Sequence, residues 1–112
     1  MVAYIVANIE VIDPTVFERY RADVPAIISR YGGRYLLRAN EPELAEGTRF
    51  FARLTVIEFP TMDAARAFYD SPEYAPLKQL RIAASKSDLA FIPAYSGSPS
   101  VPYTILGRCN NA

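Results

Sequence analysis

The chain has 112 residues, 51% of them hydrophobic, and its twelve basic and twelve acidic side chains give a formal net charge of zero. This length predicts one domain with a single core, and the balanced charge argues against nonspecific binding to nucleic acid or to an anionic membrane surface. With no histidine and one cysteine, Cys109, the chain lacks the usual ligands for zinc, copper and haem iron and any histidine general base, so we expect no metal and no cofactor.

The amino-terminal residues give a first indication of the cellular location of the protein. Its first ten residues are largely apolar, but Asn8 and Glu10 interrupt them, which predicts neither a signal peptide nor a membrane span. Because a single cysteine forms no intrachain disulfide, nothing favours export. We therefore expect a cytoplasmic protein.

The first half of the chain predicts a strand, a helix and a second strand. Residues 3–11 alternate between apolar and mixed side chains, which is typical of a strand with one apolar face. Asp13-Pro14 predicts a helix start, Val24-Pro25 a kink or restart, and Gly32-Gly33 the helix end. Residues 34–38 form the second predicted strand.

The second half repeats this order. The acidic, turn-rich residues 40–47 predict an exposed loop, and residues 50–59 predict the clearest strand. Thr61 is expected to cap the second helix, which breaks at Asp70-Ser71-Pro72. There a capping serine followed by proline predicts a fresh helix start. Residues 88–95 complete the pattern as a fourth strand.

This order of elements predicts an α+β fold of the ferredoxin-like split βαβ kind. Right-handed crossovers place both helices on one face of a four-stranded antiparallel sheet and leave the other face bare. Because the bare face is partly apolar, we expect a homodimer in which two sheets stack face to face. Residues 1–95 form this domain, and residues 96–112, rich in Ser, Pro, Gly and Asn, are expected to be a partly flexible C-terminal extension.

Short motifs in a fixed order carry a family resemblance. They are Tyr4-Ile5-Val6-Ala7, Asp13-Pro14, Phe17-Glu18-Arg19-Tyr20, Tyr31-Gly32-Gly33-Arg34-Tyr35, Val56-Ile57-Glu58-Phe59-Pro60 and Tyr69-Asp70-Ser71-Pro72-Glu73-Tyr74. Together they resemble the family known as domain of unknown function 1330, from residue 3 to about residue 95. That family is assigned to the dimeric α/β barrel superfamily, so the resemblance implies the same fold, paired into a barrel.

The superfamily implies no single reaction, since it includes cofactor-free monooxygenases, muconolactone-type isomerases, haem peroxidases and regulatory ligand-binding domains. Haem branches with a histidine ligand do not fit this chain. The family supplies no catalytic residue to carry over.

Arg81 is the leading candidate for a functional residue. The stripe expected to be buried after the helix break comprises Tyr74, Leu77, Arg81 and Ala84. A permanent charge in such a place needs a carboxylate, backbone carbonyls or a bound anion. Arg81 is therefore expected either to anchor a small organic anion in a cleft between helices and sheet, or to form an internal ion pair. The candidate partners for that pair are Glu58, Asp70 and Asp88.

Other polar side chains are expected near the same cleft. The hydroxyls of Tyr20, Tyr35, Tyr69 and Tyr74 would orient an aromatic or carbonyl substrate, unless these rings serve only to fill the core. Asn8 and Glu58 would line the same pocket, with Glu58 as a general base, unless they belong to a solvated or salt-bridged strand face. Ser71 has no histidine to activate it and is assigned to capping.

Two classes of function follow from these candidates. One is a cofactor-independent enzyme, monooxygenase-like or isomerase-like, that acts on a small anionic or enolisable organic molecule. The other is a non-catalytic homodimeric ligand-binding or interaction module.

Overall fold

The computed structural model describes residues 1–95, so the predicted extension at 96–112 lies outside the described residues. The elements in chain order are β1 (Ala3–Val11), α1 (Pro14–Arg30), β2 (Arg34–Asn40), β3 (Leu54–Phe59), α2 (Met62–Tyr69), α3 (Ala75–Ala84) and β4 (Ser85–Pro93). The strands form one antiparallel sheet in the order β2-β3-β1-β4. The predicted ferredoxin-like α+β fold is confirmed.

The helix starts follow from local capping signals. The Asp13 carboxylate accepts a hydrogen bond from the Val16 N–H at 3.2 Å, and the Thr61 hydroxyl accepts one from the Ala64 N–H at 3.0 Å. Each bond satisfies an N–H group that a helix start leaves without a partner. Gly32 ends the first helical region in the left-handed conformation, with φ of 82°.

Several predicted boundaries are wrong. Helix α1 continues through Pro25 without a restart. Strand β3 begins four residues later than predicted, because backbone groups of the preceding segment bind a side chain of β1 instead of β2. Helix α3 begins at Ala75, because the Ser71 hydroxyl caps a turn before it by accepting the Tyr74 N–H at 3.1 Å. Strand β4 begins at Ser85, where it already pairs with the end of β1.

The core lies between the three helices and one face of the sheet. In β1 the side chains that face the helices are Ala3, Ile5, Ala7 and Ile9, and all are buried. Aromatic rings fill the space above them: the centroids of Phe68 and Tyr74 are 4.5 Å apart and those of Phe59 and Phe68 are 5.5 Å apart. This packing holds α2 and the start of α3 against the sheet.

Gly33 is expected to be intolerant of any side chain. A Cβ atom built there would lie 2.7 Å from Phe59 and 2.8 Å from Ile28, both of which are buried core residues. Gly33→Ala should therefore lower the free energy of unfolding by about 1–3 kcal/mol, the usual cost of overpacking. Urea unfolding followed by circular dichroism measures this change.

Gly47→Ala is the matched control, because a Cβ there meets nothing within 4 Å and only the positive φ of 96° opposes the change. A smaller loss for Gly33→Ala than for Gly47→Ala would contradict the steric account.

Candidate functional site

A small cavity lies between the helices and the sheet. It is lined by Ile5, Ala7, Ile9, Phe17, Tyr20, Arg21, Val24, Tyr35, Arg38, Ala39, Arg53, Thr55, Ile57, Phe68, Tyr74, Arg81 and Leu89. Its volume is about 40 Å³, which is room for a few water molecules. Typical small-molecule sites are far larger, roughly 300–1,000 Å³. A ligand for this cavity is therefore either very small or displaces some of the side chains that line it.

Arg81 is the most deeply buried of the charged groups that line this cavity. Its side chain is on the last turn of α3, and the residue is only 4% exposed. Its Nε donates to the Tyr74 hydroxyl at 3.3 Å and its Nη1 donates to the Ser87 hydroxyl at 2.6 Å. No carboxylate within residues 1–95 pairs with it. The predicted alternative of an internal ion pair with Glu58, Asp70 or Asp88 is therefore wrong.

Arg81 stays positively charged in this environment. Burial alone would lower its pKa, but the interactions with Tyr74, Tyr20 and Tyr69 outweigh burial and raise it above its usual value. The site therefore holds a cation that is stabilised by neutral hydroxyl groups rather than by a counter-ion.

Two of the predicted tyrosines join the same hydrogen-bonded chain. The hydroxyls of Tyr20 and Tyr74 lie 3.0 Å apart, and either can be the donor. Burial is the main reason that the pKa of Tyr20 lies well above 10, and the neighbouring Tyr74 adds to the rise. Tyr35 lines the cavity from β2, and burial raises its pKa as well. At neutral pH the phenols of Tyr20 and Tyr35 therefore keep their protons and are available to donate hydrogen bonds.

Asn8 and Glu58 lie on the opposite face of the sheet, so the prediction that they line the cavity is wrong. Side chains alternate along a strand, and their neighbours Ile9 and Ile57 are the ones that face the helices. Glu58 accepts a hydrogen bond from the Arg34 Nε at 2.7 Å, so it belongs to a salt-bridged strand face, which is the alternative given above. It is not placed to act as a base in the cavity.

Three arginines that the sequence did not single out line the same cavity. Arg21 comes from α1, Arg38 from β2 and Arg53 from the residue before β3. They are far apart in the chain, and their only sequence signal is that Arg38 and Arg53 flank the loop between β2 and β3. Thr55 was missed too; it is buried, and its hydroxyl accepts the Ala39 N–H at 3.1 Å.

The arrangement suits the binding of negative charge. Among the described residues, four arginines line the cavity and no aspartate or glutamate does. Within residues 1–95 there is also no group of three or more His, Cys, Asp or Glu side chains that would hold a metal ion. In the same part of the chain, no helix is both long and apolar enough to cross a membrane.

The raised pKa of Tyr20 should make the protein lose stability in alkali. An unfolded tyrosine titrates near pH 10, whereas folded Tyr20 keeps its proton to higher pH. Above about pH 10 the unfolded state therefore binds fewer protons than the folded state, and the free energy of unfolding falls as the pH rises. Urea unfolding between about pH 8 and pH 11 should show a flat region and then this fall.

Tyr20→Phe should make the alkaline fall shallower without abolishing it, because Tyr35 contributes in the same direction. The control is Tyr95→Phe, since Tyr95 is 72% exposed; it should follow the wild type. Identical pH profiles for Tyr20→Phe and the wild type would contradict the assignment.

Solved structures resemble this chain at low sequence identity. A protein of unknown function from Rhodopseudomonas palustris, RPA0582, has a TM-score of 0.72 at 15% identity, over 86% of this chain and 84% of its own. SnoaB, a cofactor-independent oxygenase from Streptomyces nogalater, has a TM-score of 0.56 at 21% identity, over 88% and 97%. Rv0793 from Mycobacterium tuberculosis has a TM-score of 0.54 at 16% identity, over 88% and 99%.

These structural neighbours are of the dimeric α/β barrel type, and at such identities the likeness establishes the fold alone. No curated protein matches the chain. The family described as Domain of unknown function (DUF1330) matches residues 2–95, which confirms the resemblance seen in the motifs, and the chain belongs to that family.

Proposed function

We propose that the cavity binds a small organic anion and that Arg81 is its anchor. The observation that carries this proposal is a buried guanidinium that lines a cavity and has no carboxylate partner within the described residues. A buried charge is costly unless an opposite charge or several hydrogen bonds compensate it. A carboxylate or enolate in the cavity would supply the missing negative charge.

The hydrogen-bonding capacity of Arg81 supports this role. A guanidinium has five N–H donors in a planar fork, and protein partners take one at Nε and one at Nη1. The remaining donors suit a carboxylate, which accepts two parallel hydrogen bonds from such a fork. The Tyr20 and Tyr35 hydroxyls line the same space and would donate to a second oxygen of the ligand.

A catalytic version of this proposal is a cofactor-independent oxygenase or isomerase that acts on an enolisable acid. The fixed cation and phenols would stabilise an enolate more than the neutral keto form, which is how electrostatic catalysis works. The structural likeness to SnoaB, a cofactor-independent oxygenase, supports this reading. A proton acceptor would have to be water or the substrate itself.

A specific observation favours the alternative of a non-catalytic binding module. No aspartate or glutamate of the described residues lines the cavity, and the raised pKa values of Tyr20 and Tyr35 mean that both hold their protons more tightly than usual. The site therefore offers binding groups without an evident base. Oxygen consumption or proton exchange with a panel of enolisable acids separates enzyme from binder.

Arg81→Gln is the variant that tests the anion site. Glutamine keeps a hydrogen-bond donor but removes the charge, so affinity for a small carboxylate such as butyrate should fall by about tenfold or more. Isothermal titration calorimetry measures the affinity, and circular dichroism confirms that the variant is folded. The control Arg66→Gln changes an exposed arginine on α2 and should bind like the wild type. A folded Arg81→Gln protein with unchanged affinity would overturn the proposal.

We further propose that two copies associate through the face of the sheet that the helices leave open, in the cytoplasm as the single cysteine of the chain suggests. Apolar side chains on that face include Val6, Val56, Ala90 and Ile92, and Ile92 is 41% exposed. Apolar surface of this kind is typical of an interface. The dimeric α/β barrel type of the structural neighbours supports the same association.

Val6→Glu should convert the dimer to a monomer, because it places a charge in the middle of the open face. Light scattering on a sizing column should give about 25 kDa for the wild type, twice the chain mass of 12.5 kDa, and the chain mass for the variant. Ile82→Glu, which changes an exposed apolar residue on α3, is the control and should stay dimeric. A monomeric wild type at micromolar concentration would refute the association.

A further inference from the structure

Building on the proposed anion site, we infer that the ligand is a short-chain dicarboxylate. One acid group would bind Arg81 at the inner end of the cavity. The other would bind a second anion subsite, formed at the outer end by Arg21, Arg38 and Arg53. We refer to these three residues as the outer arginines.

The outer arginines lie nearer to solvent than Arg81 does. Arg38 is exposed, and Arg21 and Arg53 are half-buried, whereas Arg81 is only 4% exposed. The nearest acid to any of them is Glu18, whose carboxylate is 3.7 Å from Arg21 and whose side chain is 70% exposed. Glu18 does not line the cavity. Like charges that line one cavity repel each other, and a bound anion would relieve that repulsion.

The Arg38 side chain is held by a backbone carbonyl that Pro25 leaves without a hydrogen-bond donor. A proline has no N–H group, so the carbonyl four residues earlier in the helix, that of Arg21, lacks its usual partner. The Arg38 Nη2 donates to that carbonyl at 3.1 Å, and its guanidinium lies 5.0 Å from the centroid of the Tyr35 ring. Because these contacts fix the side chain before any ligand arrives, little entropy is lost when it binds an acid group.

Arg53 is positioned by the side-chain amide of Asn8. The Asn8 Oδ1 accepts the Ala52 N–H at 2.9 Å and its Nδ2 donates to the Phe50 carbonyl at 3.2 Å. The Arg53 carbonyl in turn accepts the Ile9 N–H at 2.9 Å. Asn8 does not line the cavity, so it acts on the outer subsite only through the backbone that carries Arg53. It is a positioning residue.

The backbone beside Arg38 is strained. Ala39 has a positive φ of 56°, which is unfavourable for a residue with a side chain, and the Thr55 hydroxyl holds it by accepting its N–H. Strain of this kind is typical of ligand clamps. Both Ala39 and Thr55 line the cavity.

The chemistry between the two ends decides the class of ligand. Most of the other side chains that line the cavity are apolar and include Ile5, Ala7, Ile9, Val24, Ile57 and Leu89. A single phosphate or sulfate bound at buried Arg81 would leave the more exposed outer arginines without an anion. Two carboxylates joined by a short hydrocarbon chain supply an anion to Arg81 and to the outer arginines and match the apolar lining. Because the cavity encloses only about 40 Å³, the second acid group of such a ligand would lie at the solvent-exposed Arg38, outside the enclosed space.

The test compares a diacid with a monoacid of the same chain length in the full-length protein. Succinate and butyrate are titrated by isothermal titration calorimetry, and succinate is expected to bind at least about tenfold more tightly. Arg38→Gln and Arg53→Gln should each reduce this preference to about twofold or less. Arg81→Gln should weaken both acids, and Arg66→Gln should keep the wild-type values.

Asn8→Leu should reduce the preference for the diacid in the same way, although Asn8 touches no ligand. A purely structural role would lower the unfolding temperature and leave the ratio of the two affinities unchanged, so the ratio distinguishes positioning from stability. Unfolding is followed in the same samples by circular dichroism. Rescue of the ratio in Asn8→Gln, which keeps the amide on a longer arm, would further support positioning.

The outcomes separate the two proposals. Equal affinities for succinate and butyrate, with weakening only in Arg81→Gln, would overturn the dicarboxylate and leave the anion site standing. Failure of both acids to bind the wild-type protein would overturn both. Tighter binding of succinate that survives Arg38→Gln, Arg53→Gln and Asn8→Leu would overturn the outer subsite.

Discussion

The rest of this structure depends on one buried positive charge whose hydrogen-bond partners are neutral hydroxyl groups. Arg81 is buried between α3 and the sheet, and its hydrogen bonds go to Tyr74 and Ser87. Both partners must be in place, because a buried guanidinium with lost partners is strongly destabilising. The bond to Tyr74 fixes the start of α3 against its end, and the bond to Ser87 fixes the passage from α3 into β4. The position of the cavity follows from these bonds.

Backbone groups without regular partners hold the outer end of the cavity. Pro25 has no N–H to donate to the Arg21 carbonyl, and the Arg38 guanidinium donates to that carbonyl instead. The segment before β3 does not pair with β2, and Asn8 offers it a donor and an acceptor as a peptide group would. In both places a side chain replaces a missing backbone bond. Each replacement also fixes an arginine, either by its guanidinium or by its backbone, and this is how charges from distant parts of the chain meet at one opening.

Local signals in the sequence predict most of the fold and only part of the site. The caps at Asp13 and Thr61 depend on residues three positions away, so the pattern was sufficient. The hydroxyl groups that accept hydrogen bonds from Arg81 come close to it only after α3 has formed and packed against β4. No local sequence rule therefore identifies them. The polar character of Asn8 and Glu58 suggests a place in the pocket, but the alternation of apolar neighbours in β1 and β3 puts both side chains on the other face.

The two faces of the sheet are not independent. Asn8 belongs to the face on which we propose that a second copy packs, and it fixes the backbone of Arg53, which lines the cavity on the helix face. A substitution at Asn8 would therefore act on both faces at once: it would change the proposed association surface and release the backbone that carries Arg53. One side-chain amide connects the proposed association surface with the cavity.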